Sequence, residues 1–209
     1  MEQNTAPDII EEFIAEKMDK AVEVLNEESE MSNLLTLEEG ISYKRETISL
    51  GDGCSLIVEL EDDSAISKDG IQSRATSRSN TLWKNYGRRY FTASTTVNFS
   101  LGTVTMNLRN YYVLSSKGID EDQGTGTLIY DTIGGNYSVS DPVITDATAR
   151  TVGASDVNME CQYTLRYNNV DDVSVKKIYK ITSTVGFVDI NKAKEKVKVE
   201  QSWKLTRLT

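Results

Sequence analysis

The chain has 209 residues, 38% of them hydrophobic and 26% charged, with a formal net charge of −9. That composition supports a core of ordinary size and excludes a chain disordered throughout. Histidine is absent, which removes Ser-His and Cys-His nucleophile pairs, His-ligated zinc and His-based proton transfer near neutral pH.

The charge is unevenly spread. Residues 1–63 carry 18 acidic and 4 basic side chains, whereas residues 64–209 carry 14 acidic and 19 basic. The acidic part is expected to rest on the basic part or to repel anionic surfaces. The overall sign speaks against a nucleic-acid partner, which needs clustered Lys and Arg. No apolar run of about 18 residues exists to span a bilayer. Met1 leads into Glu2-Gln3-Asn4 without the basic start and apolar stretch of a secretory signal. A mature exported chain with an added Met would read the same way. The Ser, Thr, Asn and Tyr richness of the later segment then favours a secreted or cell-surface protein.

In chain order, residues 7–25 read as an amphipathic helix. Pro7 fits a first turn, and Asp8, Glu11 and Glu12 suit the positive end of the helix dipole. Ile9, Ile10, Phe13, Ile14, Met18, Ala21, Val22 and Leu25 form one stripe opposite an acidic face. A lone helix of this length must pack on something. Residues 26–40 are a polar connector containing Leu34, Leu35 and Leu37.

From residue 41 the period changes to two. Residues 41–50 and 54–60 predict two strands joined by Gly51-Asp52-Gly53. Residues 61–80 hold almost no large apolar side chain and read as a flexible loop open to proteolysis. Apolar residues then fall on odd positions over 91–101, broken by Thr95, and on even positions over 104–114, broken by Asn110. Odd positions return over 157–167, and over 173–187 with Lys177 and Ser183 as breaks. Val197, Val199, Trp203 and Leu205 close the series, with shorter strands predicted at 127–133 and 137–144. Each is a half-buried strand with one wet face. Turns are expected at Gly102, Gly118, Gly124, Gly126, Gly134-Gly135, Gly153, Asn168-Asn169 and Asp189 to Lys192. The organisation predicted is an N-terminal helical segment over 1–40 and an antiparallel β domain over 41–209. The β domain is a sandwich or a partly closed barrel.

Cys54 and Cys161 both fall on inward stripes. They are either a disulfide closing a long loop or two buried thiols. Glu61-Asp62-Asp63, Asp120-Glu121-Asp122 and Asp171-Asp172 lack the spacing of a calcium loop and read as solvated turns. No catalytic, cofactor or metal-ligating set emerges. Candidate ligand or partner contacts are the aromatic and basic residues Trp83, Lys84, Tyr86, Arg88 and Arg89, with Tyr111. Lys192, Lys194, Lys196 and Lys198 alternate as a solvated row or guarded edge.

The turn Asp52-Gly53-Cys54, the linker Ser73-Arg74-Ala75, Tyr90-Phe91-Thr92-Ala93 and the closing Ser202-Trp203-Lys204-Leu205 carry a resemblance. In these the chain resembles small exported β-rich proteins of Gram-positive gut bacteria to which no activity is assigned. The resemblance implies an extracellular β-sandwich and carries over no catalytic residue. The function expected is a non-enzymatic surface binding module whose partner is a protein or glycan. Two alternatives stand beside it. One is a secreted effector masked by its acidic N-terminal segment until the Arg74–Arg78 loop is cut. The other is a carboxylate-dependent carbohydrate enzyme.

Overall fold

The computed structural model describes residues 6–27, 43–63, 81–100, 102–131, 136–168 and 173–209. Helix α1 (Ala6–Asn26) precedes twelve strands: β1 (Tyr43–Gly51), β2 (Cys54–Asp62), β3 (Thr81–Asn85), β4 (Gly87–Phe99), β5 (Gly102–Ser115), β6 (Gly118–Asp131), β7 (Asn136–Val139), β8 (Val143–Asp146), β9 (Thr148–Ala149), β10 (Asp156–Asn168), β11 (Ser174–Asn191) and β12 (Lys196–Arg207). They form two six-stranded sheets. The front sheet runs β1-β2-β4-β5-β6-β9. The back sheet runs β3-β12-β11-β10-β7, with β8 also on β10. All described pairings are antiparallel. The sandwich expected from the alternation is therefore the fold observed, and the sheets do not close into a barrel.

The period-two pattern makes the interior. Leu56, Val58, Leu60, Phe91, Ala93, Val97, Met106 and Leu108 of the front sheet are buried. They face Val157, Met159, Tyr163, Ile181, Val185, Val199 and Leu205 of the back sheet, which are buried too. Each large aliphatic side chain taken from water stabilises the fold by about 1.5–3 kcal/mol. The β1–β2 hairpin turns at Asp52-Gly53, with φ of 52° and 74°. Positive φ at both residues is what a tight turn matching the strand twist needs.

Three departures from the sequence reading have physical causes. First, β3 and β4 are separated by Tyr86 alone, yet they belong to different sheets. The chain turns the corner at Gly87 (φ 120°), and Arg89 pins it by donating from Nε and Nη2 to the Asn85 carbonyl and from Nη2 to that of Tyr86. Second, Gly124 and Gly126 are not turn residues. They lie inside β6, where the front sheet comes down on Met159 and Cys161 of β10 and a Cβ has no room. Third, Lys192 and Lys194 sit in a single 3₁₀ turn, so only Lys196 and Lys198 share a strand face. Residues 28–40 of the expected connector, 41–42 of the first expected strand, 64–80 of the expected loop, Leu101, the turn residues Gly134-Gly135 and Asn169, and the Asp171-Asp172 pair lie outside the described residues.

The helix expected at 7–25 closes one end of the sandwich. Ile14, Met18, Ala21, Val22 and Leu25 join the same hydrophobic cluster as both sheets, while Glu12, Glu16 and Glu23 stay exposed. Polar contacts fix it on several sides. Lys17 reaches Asp52 at 2.6 Å, Tyr137 donates to Glu11 at 2.5 Å, and Asn26 donates to the Leu205 carbonyl at 3.4 Å.

The close approach of β6 to β10 gives a test. Gly126→Ala would drive a methyl into the Cys161 sulfur. Such overpacking typically costs about 1–3 kcal/mol. Urea denaturation should show that loss for Gly126→Ala and little change for Gly186→Ala, where an added Cβ meets nothing closer than Glu200 at 3.7 Å. Equal stability of the two variants would contradict the packing.

Candidate functional site

The outer face of the front sheet carries a ladder of rings and guanidinium groups. Tyr90 of β4 stands opposite Tyr111 of β5, with ring centroids 6.0 Å apart at 64°. Arg88 lies over the Tyr111 ring at 4.3 Å, and Arg109 over Tyr90 at 4.6 Å. Carboxylates hold both cations from the flanking strands. Asp122 accepts from Arg88 Nε at 2.5 Å, and Glu61 lies 3.5 Å from Arg109 Nη2. Arg109 also donates to Thr92 Oγ1, and Tyr90 donates its hydroxyl to Glu61 at 2.9 Å. Burial first, then that hydrogen bond to a carboxylate, raises the Tyr90 pKa. The ring stays a neutral phenol at any physiological pH.

Side chains from four neighbouring strands are thus held in one array. Stacking of a guanidinium on a ring adds roughly 0.5–1 kcal/mol at an exposed site. The array remains open to solvent, with 53% of the Arg88 side chain and 35% of the Arg109 side chain exposed.

Of the six expected contact residues, only Arg88 and Tyr111 belong to this ladder. Lys84 points inward and is 5% exposed, with Asp62 and Asp63 at 3.1 and 2.9 Å. Arg89 belongs to the corner and to Asp63, at 3.5 Å. Tyr86 packs against the core. Trp83 is on the back sheet, opposite Lys198 and 37% exposed. Lys84, Tyr86 and Arg89 are thus structural, because the chain changes sheets in the middle of the run. Tyr90 and Arg109 complete the ladder. Finding Arg109 needs the β4–β5 register, which places it opposite Thr92.

Cys54 and Cys161 are both free and buried, so the disulfide considered above is not formed. Cys161 donates its thiol to the Ser140 carbonyl at 3.4 Å, and Cys54 lies in the β1–β2 turn near the Asp52 carbonyl. Burial raises both thiol pKa values, which makes them poor nucleophiles.

Two acidic clusters expected as solvated turns also prove otherwise. Asp62 is buried against Lys84. In the second cluster all three residues are strand residues: Asp120 pairs with Arg150, Asp122 with Arg88, and Glu121 turns inward at a register shift between Asn110 and Tyr112. Both Glu121 oxygens are buried without a hydrogen bond. Desolvation pushes its pKa up to about 8; Asn110 offsets part of this, and the nearby Asp122 and Asp146 add to it. Asn110 in turn donates to Ser183 across the interior at 3.2 Å. Among the described residues no group of three acidic or sulfur ligands is placed to hold a metal.

The fold and the ladder define an open antiparallel β-sandwich, plugged by a helix and displaying a polar aromatic face. Compared with known proteins, the chain matches no family model, no curated protein and no solved structure.

Two outcomes follow from the buried charges. Lys84→Met strands Asp62, whose side chain is fully buried, without its cation. Breaking a buried pair in this way costs about 3–5 kcal/mol, and urea denaturation at neutral pH should show a loss of that order. For Glu121, the folded pKa of about 8 lies above the ordinary carboxyl value of 4.5. The folded state keeps a proton that the unfolded chain releases. Stability is therefore full below pH 4.5 and is lost as pH rises towards 8. The slope has an upper limit of about 1.4 kcal/mol per pH unit, reduced because the residue is partly exposed. Glu121→Gln should remove this slope in denaturation series across that window, and an unchanged slope would rule out Glu121 as its source.

Proposed function

We propose that this chain is a non-enzymatic binding module that works outside the cytosol, at or near a cell surface. The outer face of the front sheet is where it meets a protein or glycan. The observation that carries this reading is the ladder itself. Tyr90 and Tyr111 offer apolar ring surface, and Arg88 and Arg109 offer donors. Glu61 and Asp122 hold both cations in place before any ligand arrives. Side chains already ordered lose less conformational entropy on binding. Tyr and Arg are also the residue types that dominate binding energy in interfaces. The Ser, Thr and Asn richness of the strands supports the extracellular location.

A second reading, a secreted effector masked by its acidic N-terminal segment, draws support from the docking of α1. Asp19 of that helix meets Lys177 and Arg207 of the back sheet.

The double variant Arg88→Ala/Tyr111→Ala separates the first reading from a structural role. Both residues lie on the wet face, so its urea midpoint should stay near wild type. Binding on a glycan array or to intact bacterial surfaces should fall at least about tenfold, the loss expected when hot-spot residues are truncated. Undiminished binding by a folded double variant would remove the ladder as the contact face.

A further inference from the structure

The seat of α1 combines an apolar bed with an anion cradle at its rim. The bed is made by Val104, Met106, Leu128, Tyr163, Leu165 and Tyr179, against Ile14 and Met18 of the helix. At the rim the Asp19 carboxylate takes three donors from the back sheet. Lys177 Nζ donates to Oδ2 at 2.5 Å, Arg207 Nη1 to the same oxygen at 2.7 Å, and the Tyr179 hydroxyl to Oδ1 at 2.9 Å. None of the three donors sits on the helix. They belong to β11 and β12, so the cradle is a property of the sandwich.

What α1 presents to this seat is a run of aliphatic side chains followed closely by a carboxylate. We propose that the seat is a binding site for a carboxylate-headed aliphatic chain of the fatty-acid class, and that α1 is its built-in competitor. The head group takes the place of Asp19 between Lys177, Arg207 and Tyr179. The tail takes the place of Met18, Ile14 and Ile10, which run back from Asp19 along the helix. Charge chooses the head group: two cations and a phenol hydroxyl donate to an anion and leave an ammonium or an alcohol without a matched partner. Length sets the tail. Ile10 to Asp19 covers about 14 Å of helix at 1.5 Å per residue, which suits an acyl chain of roughly a dozen carbons. During the exchange the two sheets stay joined by the β3–β4 corner and by interior contacts that do not involve α1. The site is distinct from the ladder, so failure here leaves the front-sheet reading untouched.

The test is a calorimetric titration of the full chain with dodecanoate below its micelle threshold. Dodecanol and dodecylamine serve as controls, and hydrogen exchange is followed along Ile14–Leu25. Saturable dodecanoate binding is expected, with faster exchange in α1 and at least about tenfold weaker binding of both controls. Asp19→Asn weakens the competitor and should tighten dodecanoate binding by about tenfold, the equivalent of one charged hydrogen bond. Lys177→Met, which lies on the sheet, should weaken dodecanoate binding by a similar factor and leave dodecanol unaffected. Three results would each overturn the proposal: no saturable binding to wild type or to Asp19→Asn, equal binding of dodecanol and dodecanoate, or binding that leaves α1 fully protected. Because Lys177→Met alters the strand and Asp19→Asn the helix, the proposal stays testable if either variant fails to fold.

Discussion

Two sheets facing one another keep water out along their length but not at their ends. In this chain the end near the β1–β2 turn is closed by α1, which sinks Ile14, Met18, Ala21, Val22 and Leu25 into the cluster shared by both sheets. The acidic character of the helix and the basic character of the strands then acquire a geometric meaning. Asp19 is drawn to Lys177 and Arg207, and Lys17 to Asp52. These ion pairs fix the seat of α1 at its rim, whereas the apolar stripe supplies most of the stabilisation.

The interior is not wholly apolar. Asn110 bonds Ser183, and Gln201 donates to the Tyr112 hydroxyl at 2.7 Å, each pair bridging the two sheets. A buried polar group left alone costs more than a satisfied one returns, so such pairs penalise any register that separates them. A one-residue slip would move every side chain of a strand to the other face. These bridges lie near the middle of the strands, where they resist such a slip. The Glu121 carboxyl, Thr95 Oγ1 and Trp203 Nε1 depart from this rule, being buried without a hydrogen bond, and desolvation raises the Glu121 pKa.

Much of this fold was legible in the residues because alternation is a direct record of which side of a strand is dry. The odd series over 91–99 and 157–167 and the even series over 104–114 lie in β4, β10 and β5, with the expected side inward. The breaks in those series were informative too. Thr95, Asn110 and Ser183 all remain on the buried side, and Lys177 reaches the rim of the helix seat. What could not be read was anything set by pairing between distant strands. The run from Trp83 to Arg89 looks like one aromatic and basic patch, but the corner at Tyr86 divides it between two sheets. Arg109 joins Tyr90 only through the β4–β5 register. Gly124 and Gly126 carry the same letter as a turn glycine, and only the closeness of β10 shows that they serve as clearance instead.

The corner at Tyr86 has a further consequence for how the molecule comes apart. A single stretch of backbone is hydrogen-bonded into the back sheet through Trp83 and into the front sheet through Tyr90. Neither sheet can peel away without dragging that stretch out of the other, so loosening at either layer is transmitted to both. The partners of β3 lie at the far end of the chain, on β12. The corner is thus complete only after nearly the whole polypeptide has been assembled, which favours slow, concerted folding over stepwise assembly of independent layers.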